Sequence, residues 1–313
     1  MKYRVFVDGS EGTTGLQLNE RLDLRNDLDI IKIDAEKRKD INERKKCLNS
    51  ADIVFLCLPD TAAVEAVALI DNPSTRVIDA STAHRTNPQW VYGLPELSRE
   101  HRAGIQASAR VSVPGCYATG FISLMYPLIS KGIVQKDYPV TSHAISGYSG
   151  GGKKLIAQFE DPRGNPFESP QLYALGLSHK HIPEMTAISG LEQAPIFSPI
   201  VCPYYKGMSV CIPLFPKLLP KPAAKEDIHA FLSEYYGQER FIRVMPPDSE
   251  KEYINSFIGA TRVNNTNNLE IYVTGNTERI LLIAVLDNLG KGSSGAAIQN
   301  MNIMLGLDEA TGL

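Results

Sequence analysis

YRVFVDGSEGTTGLQLNERL, residues 3–22, runs from an apolar strand through three glycines into helical spacing. Residues 3–7 read as a strand and Leu16–Leu22 as an amphipathic helix, with Gly9, Gly12 and Gly15 between them. Glycines at such a junction permit a tight turn. They also let main-chain N–H groups approach a phosphate at the positive end of the helix. The usual dinucleotide fingerprint is GxGxxG, whereas the spacing here is G-x-x-G-x-x-G. Its place at the head of a strand–helix–strand pattern is the stronger argument. A purely structural strand-to-helix turn is the other reading of the same residues.

Working outward, "LDIIKID" (28–34), "ADIVFLCLP" (51–59) and "TRVIDAS" (75–81) read as further strands, and "TAAVEAVALI" (61–70) as a helix. Strands apolar on both faces and alternating with helices imply a parallel sheet covered on both sides. The pattern fades after about residue 110. Beyond it, "PVTSHAIS" and "FSPIVCPYYKGMSVCIPLFP" read as strands and "KEDIHAFLSEYY" as an amphipathic helix. "NLEIYVTG" and "RILLIAVLDN" read as an antiparallel pair. A final helix starts near Ser293. The expectation is an α/β chain: a Rossmann-type parallel sheet over residues 1–115, then a second α+β domain with a mixed or antiparallel sheet over 116–289. The C-terminal helix, about 290–313, is expected to return to the first domain.

Asp34, at the end of the second strand, suits a ribose 2′-hydroxyl and would favour NAD. Lys37, Arg38 and Lys39 could hold a 2′-phosphate instead, or simply form a solvated charged face. At 313 residues with a formal charge of −3, the chain has no basic field for nucleic acid. The N-terminus lacks a signal-peptide pattern, and "ILLIAVL" (280–286) is too short to span a bilayer. A cytoplasmic enzyme is expected. Five cysteines with no CxxC pair and no zinc spacing argue against both a disulfide scaffold and a structural metal.

Cys116 differs from the other four, which sit in or beside apolar strand and helix patterns. It follows Pro114-Gly115 and precedes a helix expected from about Tyr117 to Ser130, which makes it an N-cap. A helix N-terminus lowers a thiol's pKa, and the adjacent N–H groups can stabilise an oxyanion. Buried filler is the alternative. His179 and His181 in "SHKHIPEM" can supply a base; both are expected in an extended segment, pointing the same way, just before a helix opened by Pro183. Glu184 can orient an imidazole. His101 and His229 read as exposed and His143 as packed in a strand. "DASTAHRT" (79–86) follows a strand at the carboxyl edge, where Arg85 can pair bidentately with a phosphate or carboxylate or stand as an ordinary surface arginine.

Seven segments then carry a resemblance: "DGSEGTTGLQL", "DASTAHRT", "YGLPEL", "PGCYATG", "SGYSGGGK", "SHKHIPE" and "GKGSSGAAIQNMN", in order from residue 8 to 302. Together they resemble the N-acetyl-γ-glutamyl-phosphate reductases in their shorter form, relatives of aspartate-semialdehyde dehydrogenase. The resemblance implies NADPH-dependent reduction of N-acetyl-γ-glutamyl phosphate to the semialdehyde, with release of phosphate, in arginine biosynthesis. It implies Cys116 as nucleophile through a thioester and His181 as acid/base, with His179 and Glu184 positioning and Arg85 holding the substrate phosphate. Gly9, Ser10, Gly12, Thr13, Thr14, Gly15, Arg38, Ser81, Lys291, Gly292 and Ser293 would line the NADP(H) site. A homo-oligomer, dimer or tetramer, is expected, acting on a small molecule with no metal, membrane or nucleic acid. The family usually carries Asn where Val113 stands. Reduction of an aspartyl or carrier-linked aminoadipyl phosphate is the nearest rival, and an NADP-binding sensor with a merely packed Cys116 is the rival from another class.

Overall fold

The computed structural model describes residues 2–9, 12–162, 164 and 167–313. The chain divides into two compact units, Met1–Gly115 with Ser293–Leu313, and Cys116–Gly292. In the first, β1 (Tyr3–Asp8), α1 (Thr13–Asp23), β2 (Leu28–Ile31), α2 (Ile41–Ser50), β3 (Ile53–Leu56), α3 (Asp60–Ala68) and β4 (Arg76–Asp79) alternate strictly. β5 (Val91–Tyr92), α4 (Arg99–Ala107) and β6 (Arg110–Ser112) complete the sheet, whose order is β2-β1-β3-β4-β6-β5 and whose pairings are all parallel.

Alternate residues of one strand feed opposite faces. Val5 and Val7 pack with Leu18 and Leu22 of α1, whereas Phe6 packs with Leu48 of α2 and Ala63 and Ala66 of α3. Both faces are therefore dry, which is why these strands read as continuous apolar runs. The second strand stops at Ile31, earlier than expected; Asp34 instead accepts from the Glu36 N–H and caps a short 3₁₀ turn, Ala35–Lys37.

In the second unit, α5 (Cys116–Ser130), β7 (Thr141–Gly147), α6 (Gly152–Phe159), β8 (Gln171–Leu172), α7 (Ile182–Ser189), β9 (Ile196–Cys202) and β10 (Met208–Leu214) come first. They are followed by α8 (Lys225–Tyr236), β11 (Ile242–Val244), β12 (Leu269–Gly275) and β13 (Ile280–Leu286). The sheet order is β11-β12-β13-β10-β7-β9-β8, mixed in sense. β12 and β13 pair antiparallel as their spacing predicts.

α5 is apolar all round and buried from Tyr117 to Met125, so it forms the centre of this unit. Its Gly120 lies so close to the sheet that a Cβ would stand 2.8 Å from Val210 Cγ2. Pro127 lacks the N–H that would reach the Ser123 carbonyl, and Tyr236 of α8 donates its hydroxyl to that carbonyl at 2.8 Å. The helix keeps its course because a side chain replaces the missing main-chain donor.

A π-turn, Gly290–Ser294, leads into α9 (Gly295–Leu305), which packs within the first unit. Its buried polar residues are stitches: Asn300 Nδ2 donates to the Gly93 carbonyl at 2.9 Å, and Gln299 Nε2 to buried Glu96 at 2.9 Å. Two of the segments that carry the resemblance, "YGLPEL" and "GKGSSGAAIQNMN", thus meet in one hydrogen-bonded seam. Among the described residues, no helix is long and apolar enough to cross a membrane.

Candidate active site

In the first unit the chain leaves β1 for β2 on one side and returns to β3 on the other, so the β1–β3 boundary is the switch point where such sheets bind ligands. The glycine loop sits there. Gly9 has φ +89°, and a Cβ on it would lie 2.4 Å from the Cys57 carbonyl oxygen, so no other residue fits. Gly12 is different: a Cβ would meet nothing closer than 3.7 Å, yet no side chain caps α1 there. That end of α1 suits an anion brought close to main-chain N–H groups. Gly15 is buried in the first turn of α1. Thr14 Oγ1 lies 3.1 Å from Ser293 Oγ, which joins the loop to the segment entering α9. Lys37, Arg38 and Lys39 are exposed, while the Asp34 carboxylate is engaged with its own turn. These residues fit a dinucleotide with a 2′-phosphate better than one read by Asp34. Ser10 and the side chain of Thr13 lie outside the described residues.

At the end of β4, the buried Asp79 carboxylate accepts from the Ser81 hydroxyl at 2.7 Å and its N–H at 2.9 Å. It also pairs with His84 Nδ1 at 2.6 Å, and the His84 ring stacks on Trp90 at 4.1 Å. The Ser81 hydroxyl, expected at the cofactor, is thereby part of this turn. His84 is the residue sequence reading missed; its signal was an Asp five positions earlier at a strand end.

Arg85 also departs from expectation. It is buried, with Nε donating to the Val113 carbonyl at 2.9 Å and Nη2 to the Ala80 carbonyl at 3.1 Å. Those donors form one edge of the guanidinium fork. Through them Arg85 ties the loop after β4 to Val113. The Val113 N–H donates to the Asp79 carbonyl at 2.7 Å, and its side chain lies in the core. The link runs through main chain, so Val serves at this position.

In the second unit, Cys116 is the first helical residue of α5 rather than its N-cap. Gly292 packs directly on it: a Cβ there would stand 2.7 Å from Cys116 Cβ. Gly292 was expected beside the cofactor, and the structure gives it this contact with the thiol residue. Lys291 departs further, being fully buried with its ammonium 5.7 Å from the Phe241 ring centroid.

His179 and His181 lie in a tight turn, not an extended segment: the Ile182 N–H donates to the His179 carbonyl at 2.9 Å, and His181 has helical φ/ψ as the N-cap of α7. Pro183 is the second helical residue, one place later than expected. The turn brings the two imidazoles to 4.7 Å, edge to face. Tyr117, next to Cys116, places its ring 5.7 Å from His179 and 5.9 Å from His181, and Phe197 stands 5.3 Å from His179. Tyr173 Oη lies 3.4 Å from His179 Nε2. Glu184 is buried in the first turn of α7.

Burial pushes the other thiols up: Cys57 to about 12, with Asp79 and Asp8 adding, Cys211 to about 11, and Cys47 and Cys202 in the same direction. His143 faces outward because the alternation of β7 turns Ser142, Ala144 and Ser146 inward. His101 is not an exposed residue: Nε2 lies 2.5 Å from the Tyr92 carbonyl oxygen and burial lowers its pKa. His229 Nε2 reaches the Met245 carbonyl at 2.9 Å.

Residues 4–105 match the family described as semialdehyde dehydrogenase, NAD binding domain, and residues 116–288 the semialdehyde dehydrogenase, dimerisation domain. N-acetyl-gamma-glutamyl-phosphate reductase 2 of a Nostoc species is 47% identical, covering 100% of this chain and 99% of its own length. The chain belongs to the N-acetyl-γ-glutamyl-phosphate reductase family. N-acetyl-gamma-glutamyl-phosphate reductase 2 of Pseudomonas putida is likewise 47% identical, with 98% of each chain covered. Among solved structures, aspartate semialdehyde dehydrogenase II complexed with ASA from Vibrio cholerae superimposes with TM-score 0.73 at 13% identity, covering 97% of this chain and 98% of its own. Aspartate semialdehyde dehydrogenase from Francisella tularensis gives TM-score 0.73 at 14% identity, covering 97% and 100%. This reductase-family chain therefore carries the semialdehyde dehydrogenase fold over almost its whole length.

Proposed function

We propose that this chain reduces N-acetyl-γ-glutamyl phosphate to N-acetylglutamate 5-semialdehyde and phosphate with NADPH, in the cytoplasm, as a step of arginine biosynthesis. The observation that carries the reading is Cys116 opening α5 while the ring of the adjacent Tyr117 packs against both His179 and His181. The first unit binds the cofactor through Gly9, Gly12, Gly15 and Thr14, with Arg38 and its lysine neighbours toward the 2′-phosphate. The second unit supplies the catalytic groups and the oligomer contact, a dimer or a dimer of dimers.

Cys116 Sγ, as thiolate, adds to the acyl carbon of the substrate. The carbon–oxygen bond to phosphate then breaks, leaving a thioester on Cys116 and releasing phosphate. Main-chain N–H groups in the first turn of α5 stabilise the oxyanion. The bound nicotinamide supplies the hydride. His181 gives a proton to the oxygen of the thiohemiacetal on Cys116. It takes that proton back as the carbon–sulfur bond breaks, which frees the aldehyde and restores the thiolate. Glu184 and His179 position His181, and Arg85 holds the loop that ends at Gly115.

The test runs in reverse, with N-acetylglutamate semialdehyde, phosphate and NADP. Wild-type chain reduces NADP only when all three are present, and Cys116→Ala loses more than about 1,000-fold in kcat while still binding NADP. An active Cys116→Ala variant overturns the mechanism. A preference for aspartate semialdehyde overturns the substrate.

A further inference from the structure

Resting on the role proposed above for the histidine pair, we infer that Tyr173 is a positioning residue. Together with the His181 main-chain N–H, it locks His179 as the neutral imidazole protonated on Nε2. The His181 N–H points at His179 Nδ1 at 3.1 Å. A main-chain N–H can only donate, so Nδ1 must carry a lone pair and not a proton. An imidazolium has no lone pair to offer, and the other neutral tautomer would set two hydrogens against each other.

The other ring nitrogen faces Tyr173, whose Oη lies 3.4 Å from His179 Nε2. With Nδ1 already accepting, the ring's one proton sits on Nε2, and Nε2–H donates to Tyr173 Oη. His179 in this arrangement is a fixed donor that exchanges no proton, which leaves His181 as the imidazole that titrates during the reaction.

The backbone shows that Tyr173 is held in place at some cost. Ala174 and Leu177, within four residues of it, have φ of +54° and +52°, a region that side chains with a Cβ disfavour. The Leu177 N–H donates to the Ala174 carbonyl at 2.9 Å, closing the turn between Tyr173 and His179. Upstream, the Tyr173 N–H is pinned to the Pro199 carbonyl at 3.3 Å. Strain in non-glycine residues persists where surrounding structure enforces it, and here it brackets the residue that faces His179 Nε2.

The experiment is a long-range nitrogen–proton correlation spectrum of the full chain labelled with nitrogen-15 histidine, near neutral pH. His179→Gln assigns the His179 signals. We expect His179 Nδ1 to show the shift of an unprotonated nitrogen and Nε2 that of a protonated one. A protonated Nδ1, in either the other tautomer or the imidazolium, overturns the proposal. Tyr173→Phe keeps the ring and removes the acceptor. It should keep the tautomer set by the His181 N–H, shift the His179 Nε2–H signal and lower kcat about fivefold, with KM changed by less than about twofold. An unchanged Nε2–H signal with unchanged kcat in that variant removes Tyr173 from the role. Because the spectrum needs neither substrate nor turnover, its outcome is independent of the Cys116 assay that tests the function itself.

Discussion

At the residue scale, five cysteines differ in what surrounds them more than in what precedes them in the chain. Cys57 and Cys211 have their thiols pushed up to about 12 and about 11, so at pH 8 both stay protonated. A raised thiol pKa means protonated, unreactive sulfur until the pH climbs toward that value. With limiting iodoacetamide at pH 8, peptide mass spectrometry should find Cys116 alkylated first and the other four late. Labelling of Cys57 or Cys211 at the rate of Cys116 would contradict this. Gly292, like Gly9 and Gly120, has its identity dictated by a close approach. Gly292→Ala places a methyl 2.7 Å from Cys116 Cβ, tighter than packed carbons tolerate, and the strain falls on the nucleophile. We expect a fall in kcat of at least about tenfold with an unchanged circular-dichroism spectrum. Wild-type kcat in that variant would show the contact to be harmless.

At the scale of elements, α5 is the piece on which the second unit is built. Its one weak point is the Ser123 carbonyl that Pro127 cannot serve. Tyr236→Phe leaves that carbonyl buried without its 2.8 Å donor and should cost about 1–3 kcal/mol in denaturant unfolding. Pro127→Ala in the same background restores a main-chain N–H and should recover most of the loss. If the two changes simply add, the hydroxyl is not standing in for the proline's missing donor. In the first unit α1, α3 and the C-terminal helix were legible from their spacing, α2 and α4 were not, and α8 matched its expected ends, Lys225 and Tyr236. The turn holding His179 and His181 was not legible. Pro183 signals a nearby helix start, but the residues before it close on the His179 carbonyl rather than extend.

At the scale of the molecule, the matched dimerisation domain and the apolar side chains left open on the second unit point the same way. Leu172, Leu175, Leu177 and Ile196 are each more than half exposed, on or beside the β8–β9 edge of the mixed sheet. Exposed apolar groups at a sheet edge suit self-association. Light scattering at micromolar concentration should give at least twice the chain mass of 34.4 kDa, and Ile196→Lys should lower it. A monodisperse wild-type monomer would rule this surface out as a self-association site.

The first four strands with α1 and α3, the glycine loop and the nucleophile candidate follow from local pattern: periodicity, turn chemistry and the place of a cysteine before a helix. Those signals act over a few residues, and a linear chain displays them. Tertiary structure alone decided what Val113, Arg85 and Lys291 do. Arg85 gives Nε and Nη2 to two main-chain carbonyls and Lys291 is interior, neither of which depends on spacing along the chain. Hydrogen bonds are directional and short, so which donor meets which acceptor is settled only when the sheet and its helices bring them within reach.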